Sequence, residues 1–133
     1  MANKVVARYA DGRIVKGTTS DFVPTKDRFH VAPTDAAAGA RAVEIQMKEL
    51  KAVFFVKDLV GNPGHEERQD FDATHPMTGR RVRVTFADGE VLVGTTQAYQ
   101  PGRPGLFMVP ADAESNIDRC YVVGTSTREI ALI

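Results

Sequence analysis

Residues 82–112 read VRVTFADGEVLVGTTQAYQPGRPGLFMVPAD, and residues 5–35 read VVARYADGRIVKGTTSDFVPTKDRFHVAPTD. Laid over one another at an offset of 77, the two stretches share 10 identities in 31 positions without a gap. The identities are Val5 with Val82, Ala10-Asp11-Gly12 with Ala87-Asp88-Gly89, Gly17-Thr18-Thr19 with Gly94-Thr95-Thr96, Pro24 with Pro101, Pro33 with Pro110 and Asp35 with Asp112. Tyr9 with Phe86, Ile14 with Val91, Phe22 with Tyr99 and Lys26 with Arg103 are conservative pairs. A fixed period of this kind marks a duplicated structural unit.

Working outward, the alternation of each unit predicts five short strands. The first, Lys4–Ala10 or Arg81–Ala87, sets Val5, Ala7 and Tyr9 (Val82, Val84 and Phe86) on one face. Asp11-Gly12 and Asp88-Gly89 then predict tight primed hairpin turns. The return strands, Arg13–Phe22 and Glu90–Tyr99, carry Gly17 and Gly94 inside them, where glycine marks a bulge or a sharp bend. A Pro-containing turn leads to Phe29–Ala32 or Leu106–Val109, and a spacer, Thr34–Ala40 or Ala111–Ile117, to Val43–Lys48 or Cys120–Val123. A short turn at Glu49-Leu50-Lys51, or Ser126-Thr127-Arg128, precedes the fifth strand, Ala52–Lys57 or Ile130–Ile133. Cys120-Tyr121-Val122-Val123 is apolar on both faces and is therefore expected to be covered on both. A helix over Ala36–Leu50 competes through its alanines, but the alternation of residues 43–48 favours a strand.

The expected fold is all-β: two tandem five-stranded barrels at 1–57 and 81–133, with 58–80 as a linker broken by Gly61-Asn62-Pro63-Gly64. Val5, Tyr9, Ile14, Phe29, Ile45, Val53 and Phe55 are expected to line one core. Val82, Phe86, Val91, Leu106, Val122, Ile130 and Leu132 are expected to line the other. Units of this size bury little surface alone, so they should lean on each other or on a second chain through open strand edges.

The repeated block Asp11-Gly12-Arg13-Ile14-Val15-Lys16-Gly17 resembles the first conserved block of Sm-like proteins, which implies a small Sm/SH3-like barrel. The Sm-like RNA-binding residues have no counterparts here, because the loops read Pro24-Thr25-Lys26-Asp27-Arg28 and Pro101-Gly102-Arg103-Pro104-Gly105. "DGRIVKGTT…KDRFHVAP", "LKAVFFVKD" and "GEVLVGTTQAYQPGRPG" resemble a group of uncharacterised bacterial proteins that sometimes accompany PilZ-type cyclic-dinucleotide receptors. The PilZ arginine arm is not matched, since Arg80-Arg81-Val82-Arg83 has the wrong spacing.

Composition narrows the function. Seventeen basic and 17 acidic residues give a net charge of zero, which argues against a general nucleic-acid binder. The single cysteine, Cys120, excludes an intrachain disulfide and suits a reducing compartment. With no signal-peptide pattern and no long apolar run, the expected location is cytoplasmic and no membrane is implied. His30, His65 and His75 are too far apart for a ligand motif, and His65, Glu66, Glu67, Asp70, Asp72 and His75 read as a solvated acidic linker, so neither metal nor cofactor is expected. Asp11, Asp88, Asp35 and Asp112 sit where turns need them, and no catalytic constellation is present. The sequence therefore suggests a non-catalytic binding or regulatory module whose partner is a protein or an anionic ligand. Lys26, Arg28 and Arg103, on loops after the second strand, are the candidate contacts. A nucleic-acid or nucleotide binder using those basic loops and a self-assembling structural subunit are the alternatives.

Overall fold

The computed structural model describes residues 3–24, 26–33, 42–57, 79–97, 105–111 and 116–133. The first expected spacer, residues 112–115 of the second, the loop around Arg103 and most of the linker, including its acidic and histidine residues, lie outside these. Ten strands run in the order β1 Asn3–Tyr9, β2 Ile14–Thr19, β3 Arg28–Pro33, β4 Val43–Gln46, β5 Leu50–Val56, β6 Arg80–Phe86, β7 Val91–Thr96, β8 Gly105–Pro110, β9 Ile117–Val123 and β10 Thr127–Leu132. Single 3-10 turns, Met47–Glu49 and Gly124–Ser126, precede β5 and β10. The predicted turn at 49–51 thus falls two residues earlier, because Leu50 already pairs with Tyr9 in the ladder. Among the described residues no helix is long and apolar enough to cross a membrane.

The repeat is preserved down to the register. Asn3 faces Thr19 and Arg80 faces Thr96; Gly17 faces Pro33 and Gly94 faces Pro110; Val5 faces Phe55 and Val82 faces Leu132. Each pair of pairs differs by the same offset. All ten strands form one antiparallel sheet, ordered β10-β6-β7-β8-β9-β5-β1-β2-β3-β4, which does not close on itself. Each half contributes five neighbouring strands in one shared order, fifth-first-second-third-fourth, and the halves join where β5 pairs with β9.

Two hydrophobic cores result, on opposite faces of that junction. Leu50, Val53 and Phe55 of β5, with Tyr121 and Val123 of β9, pack into the first core beside Val5, Phe29 and Ile45. Ala52, Phe54 and Val56, with Cys120 and Val122, pack into the second beside Val82, Val84 and Phe86. Successive side chains of a strand point to opposite faces, so the segments shared by the two cores, Ala52–Val56 and Cys120–Val123, are apolar on both faces. The expectation that Cys120–Val123 is covered on both faces holds, and Cys120 is fully buried.

Two details depart from expectation. The Asp-Gly hairpins are not two-residue primed turns. Within each turn only the glycine, Gly12 or Gly89, has positive φ (99° and 94°), and no described non-glycine residue does. A type I′ turn would need positive φ at both central residues. Instead the Gly12 N–H donates to the Tyr9 carbonyl (3.1 Å) and the Tyr9 N–H to the Arg13 carbonyl (2.9 Å), the three-residue loop with a glycine bulge. The extra residue reverses the phase of the return strand. Ile14 lies opposite Arg8, and Val91 opposite Thr85, on the outer face. Ile14 and Val91, expected in the cores, are therefore exposed, while Val15 packs partly against the first core and Leu92 is buried in the second. Leu132 is likewise exposed, and Ile130 is only partly buried, because β10 is an edge strand.

Gly17 and Gly94 mark close backbone approaches: a Cβ there would overlap the carbonyl oxygens of Ala32 and Val109. Gly94→Ala should force β7 and β8 apart and cost roughly 1–3 kcal/mol. Phe86→Ala, removing a ring that is fully enclosed, should cost about 3–5 kcal/mol. Urea unfolding of both variants checks this, and native-like midpoints would show that neither contact matters.

Candidate functional site

The first half ends β2 with a device that the second half lacks. Asp21 follows the strand, and its carboxylate gathers three donors. Oδ1 accepts from the His30 backbone N–H (2.9 Å) and the Thr19 hydroxyl (3.1 Å), and Oδ2 lies 2.7 Å from Nδ1 of the His30 ring. These bonds hold the Asp21 carboxyl below its ordinary value: the backbone N–H contributes most and the imidazole next, burial opposes them, and the Thr19 hydroxyl adds a smaller lowering effect. With Nδ1 committed to a carboxylate, Nε2 of His30 is the ring nitrogen left for an outside partner.

The loop between β2 and β3 is anchored beside this pair. Phe22 points inward and meets Phe29 (5.0 Å), Phe55 (5.3 Å), Tyr121 (5.7 Å) and Phe107 (6.1 Å) edge to face. Two of those rings belong to the second half. The Lys26 N–H donates to the Val23 carbonyl (3.0 Å), and the Asp27 carbonyl accepts from the Met47 N–H (2.8 Å), fixing the far end. Asp21, Lys26, Asp27, Arg28 and His30 then line an open polar cleft of about 560 Å³.

Two of the three cations singled out from the sequence, Lys26 and Arg28, therefore meet in one cleft, while Arg103 lies outside the described residues. Their states differ. Arg28 Nη1 donates to Glu44 Oε1 on β4 (3.0 Å), and its Nε lies 3.8 Å from Asp27 Oδ1. The Glu44 carboxylate raises the pKa of this guanidinium further. Lys26 has no ion pair among the described residues and is exposed. From the sequence, His30 belongs to no ligand motif and Asp21 has no role. The signal lay in the repeat: at the +77 positions Asp21 becomes Ala98 and His30 becomes Phe107, so both partners changed together.

Among the described residues no group of three or more His, Cys, Asp or Glu is arranged to hold a metal ion. The site is a small polar cleft on one half of an all-β protein, built from a duplicated antiparallel sheet. The chain belongs to a family of unknown function, DUF6982, whose profile matches residues 1–133. No curated protein and no solved structure matches it.

Because the folded pKa of Asp21 is depressed, its contribution to stability is present above the unfolded value, near ~3.9, and is lost as pH falls through the folded value. Asp21→Asn should remove that part of the acid-side decline. Urea midpoints measured from pH 6 down to about pH 2.5 should fall less steeply for the variant than for the native chain. Parallel curves would mean that the three bonds to Asp21 do not form in solution.

Proposed function

We propose that the protein is a non-catalytic binding module that captures an anionic group in the cleft behind β2. In this reading each half is a small Sm/SH3-like barrel, and the two share the β5–β9 wall. The common strand order of the halves and the separate core of each support it. The observation that carries the functional reading is the convergence of the exposed Lys26 side chain, the Arg28 guanidinium and the oriented His30 ring on one cleft. The Lys26 ammonium and the Arg28 guanidinium can donate to an anion, and so can His30 Nε2 when the ring carries both protons; charge-assisted donors are the strong ones.

Asp21 and His30 have the geometry of a base and its orienting carboxylate, but among the described residues those lining the cleft carry no hydroxyl or thiol nucleophile. That favours binding over covalent catalysis. Arg28 must share its N–H groups between Glu44 and a ligand, and the two cleft aspartates offset much of the positive charge. The site is thus suited to a compact anion, a carboxylate or a phosphate, and poorly suited to a long polyanion, which would need a continuous basic track.

The test is a titration of inorganic phosphate and of nucleoside monophosphates into the isotopically labelled chain, followed by NMR. Shifts should concentrate at Lys26, Arg28 and His30. Lys26→Ala should weaken whatever anion binds by about 1.5–3 kcal/mol and flatten the salt dependence. The double change Lys26→Ala with Arg103→Ala should weaken it further if the second loop takes part, with melting temperature nearly unchanged. Shifts that avoid the cleft, or affinity unaffected by both changes at low salt, would refute the reading.

A further inference from the structure

The junction between the halves has unused counterparts at the two ends of the sheet. At the offset of 77, β10 corresponds to β5, and β4 corresponds to the last four residues of β9. If β10 of one copy met β4 of another in the register of the junction, Glu129, Ile130 and Ala131 would face Ile45, Glu44 and Val43 of the second copy. These follow from the observed pairs Ala52 with Val122, Val53 with Tyr121 and Phe54 with Cys120. Apolar side chains stand uncovered at both ends, with Val43 37%, Leu132 43% and Ile133 54% exposed.

Two substitutions set the ends apart from the junction. Tyr121, enclosed against Phe22 and Phe107, corresponds to Glu44, so the same pairing would bring a carboxylate toward burial, where an ionised group is costly. The second concerns a cation. At the junction Lys51 crosses from the first half, sits 4.7 Å above the Phe86 ring and bonds Asp88 (2.7 Å) and Glu90 (2.9 Å) of the second. At the outer end the corresponding ring is Tyr9, and Arg13, standing where Glu90 does, already covers it at 4.3 Å and bonds Asp11 at 2.8 Å. The counterpart of Lys51 is Arg128, which would arrive at a place occupied by a like charge.

We propose that β4 and the turn at residues 11–13 form a latent docking surface for β10 of a second copy of this chain, held shut in the native protein by Arg13 and Glu44. The chain keeps one junction, inside itself, and suppresses its repetition between copies. Edge strands with charges placed on them are a general way to prevent such pairing, and a head-to-tail contact of this kind would otherwise propagate.

Sedimentation velocity tests it. The native chain should remain a 14.5 kDa monomer across the concentration range. Arg13→Glu with Glu44→Tyr, which restores the junction residues, should produce head-to-tail species that grow with concentration, tightening association at least about tenfold. Adding Leu132→Lys on the opposite edge should disperse them. Should the double variant fail to fold, Glu44→Tyr alone, a change at an exposed position, carries the same readout. A folded variant that stays monomeric, or assembles with no response to Leu132→Lys, overturns the proposal. So does a native chain that is already multimeric and that Leu132→Lys disperses.

Discussion

The rest of the structure depends on β5 having no free face. All seven of its residues, Leu50 to Val56, are buried, because β1 flanks it on one edge, β9 on the other, and a core covers each side. A strand in this position transmits constraint between the halves, since moving it disturbs both cores at once. Lys51 is the one charged residue in the run, and its side chain is only 6% exposed. It is tolerated because the chain bulges there, where Arg8 and Tyr9 pass β5, and because two carboxylates and an aromatic face receive the charge. An ammonium so enclosed would be strongly unfavourable without them. Asp88 reciprocates: the Lys51 hydrogen bond is the largest reason its carboxyl lies below the ordinary value, with the Glu90 backbone N–H second.

Duplicated sequences usually hide which copy does what, but here the differences fall where the environments differ. Positions that are exposed or half-buried at an end and buried at the junction differ between the copies: Glu44 against Tyr121, Gln46 against Val123, Glu129 against Ala52, Ala131 against Phe54. Positions that do the same job in both halves did not. Gly17 and Gly94 remain because a Cβ has no room at the strand crossing. Asp11 and Asp88 remain because each accepts the backbone N–H two residues on, at 3.0 Å. Divergence thus follows burial, and identity follows backbone geometry.

Those rules explain what could be read in advance. Strand number, strand phase within the first, third and fourth strands, and the registration of the copies were legible, because alternation and a fixed offset report local backbone periodicity. The outward turn of Ile14 and Val91 was not. It depends on a three-residue loop in place of a two-residue one, and Asp-Gly suits both. The joining of the halves through β5 and β9 was half visible, in the two-sided apolar runs Ala52–Val56 and Cys120–Val123, but nothing in either run names its partner strand. Of the cleft, the cations Lys26 and Arg28 were found from loop position. Asp21 and His30 were not, because their nine-residue separation becomes proximity only once β2 and β3 lie side by side.

That last pair shows why the two halves belong to one working unit. His30 and Phe107 occupy equivalent positions, and the first half uses its copy to hold a carboxylate while the second uses its copy as an aromatic wall. The wall supports the site: Phe22, one residue after Asp21, packs on Phe107 and Tyr121 as well as on Phe29 and Phe55. Arg119 lies over Phe55 at 4.3 Å and Phe107 at 5.0 Å, bridging rings from both halves. Edge-to-face packing of this sort orients rings as well as burying them, so the direction in which the loop leaves β2 is set partly by residues almost a hundred positions away. The polar pair belongs to the first half, but its geometry belongs to both. A first half cut free of the second would keep Asp21 and His30 in the hairpin yet lose two of the four rings that seat Phe22, and with them the fixed approach of Lys26 and Arg28 to the cleft.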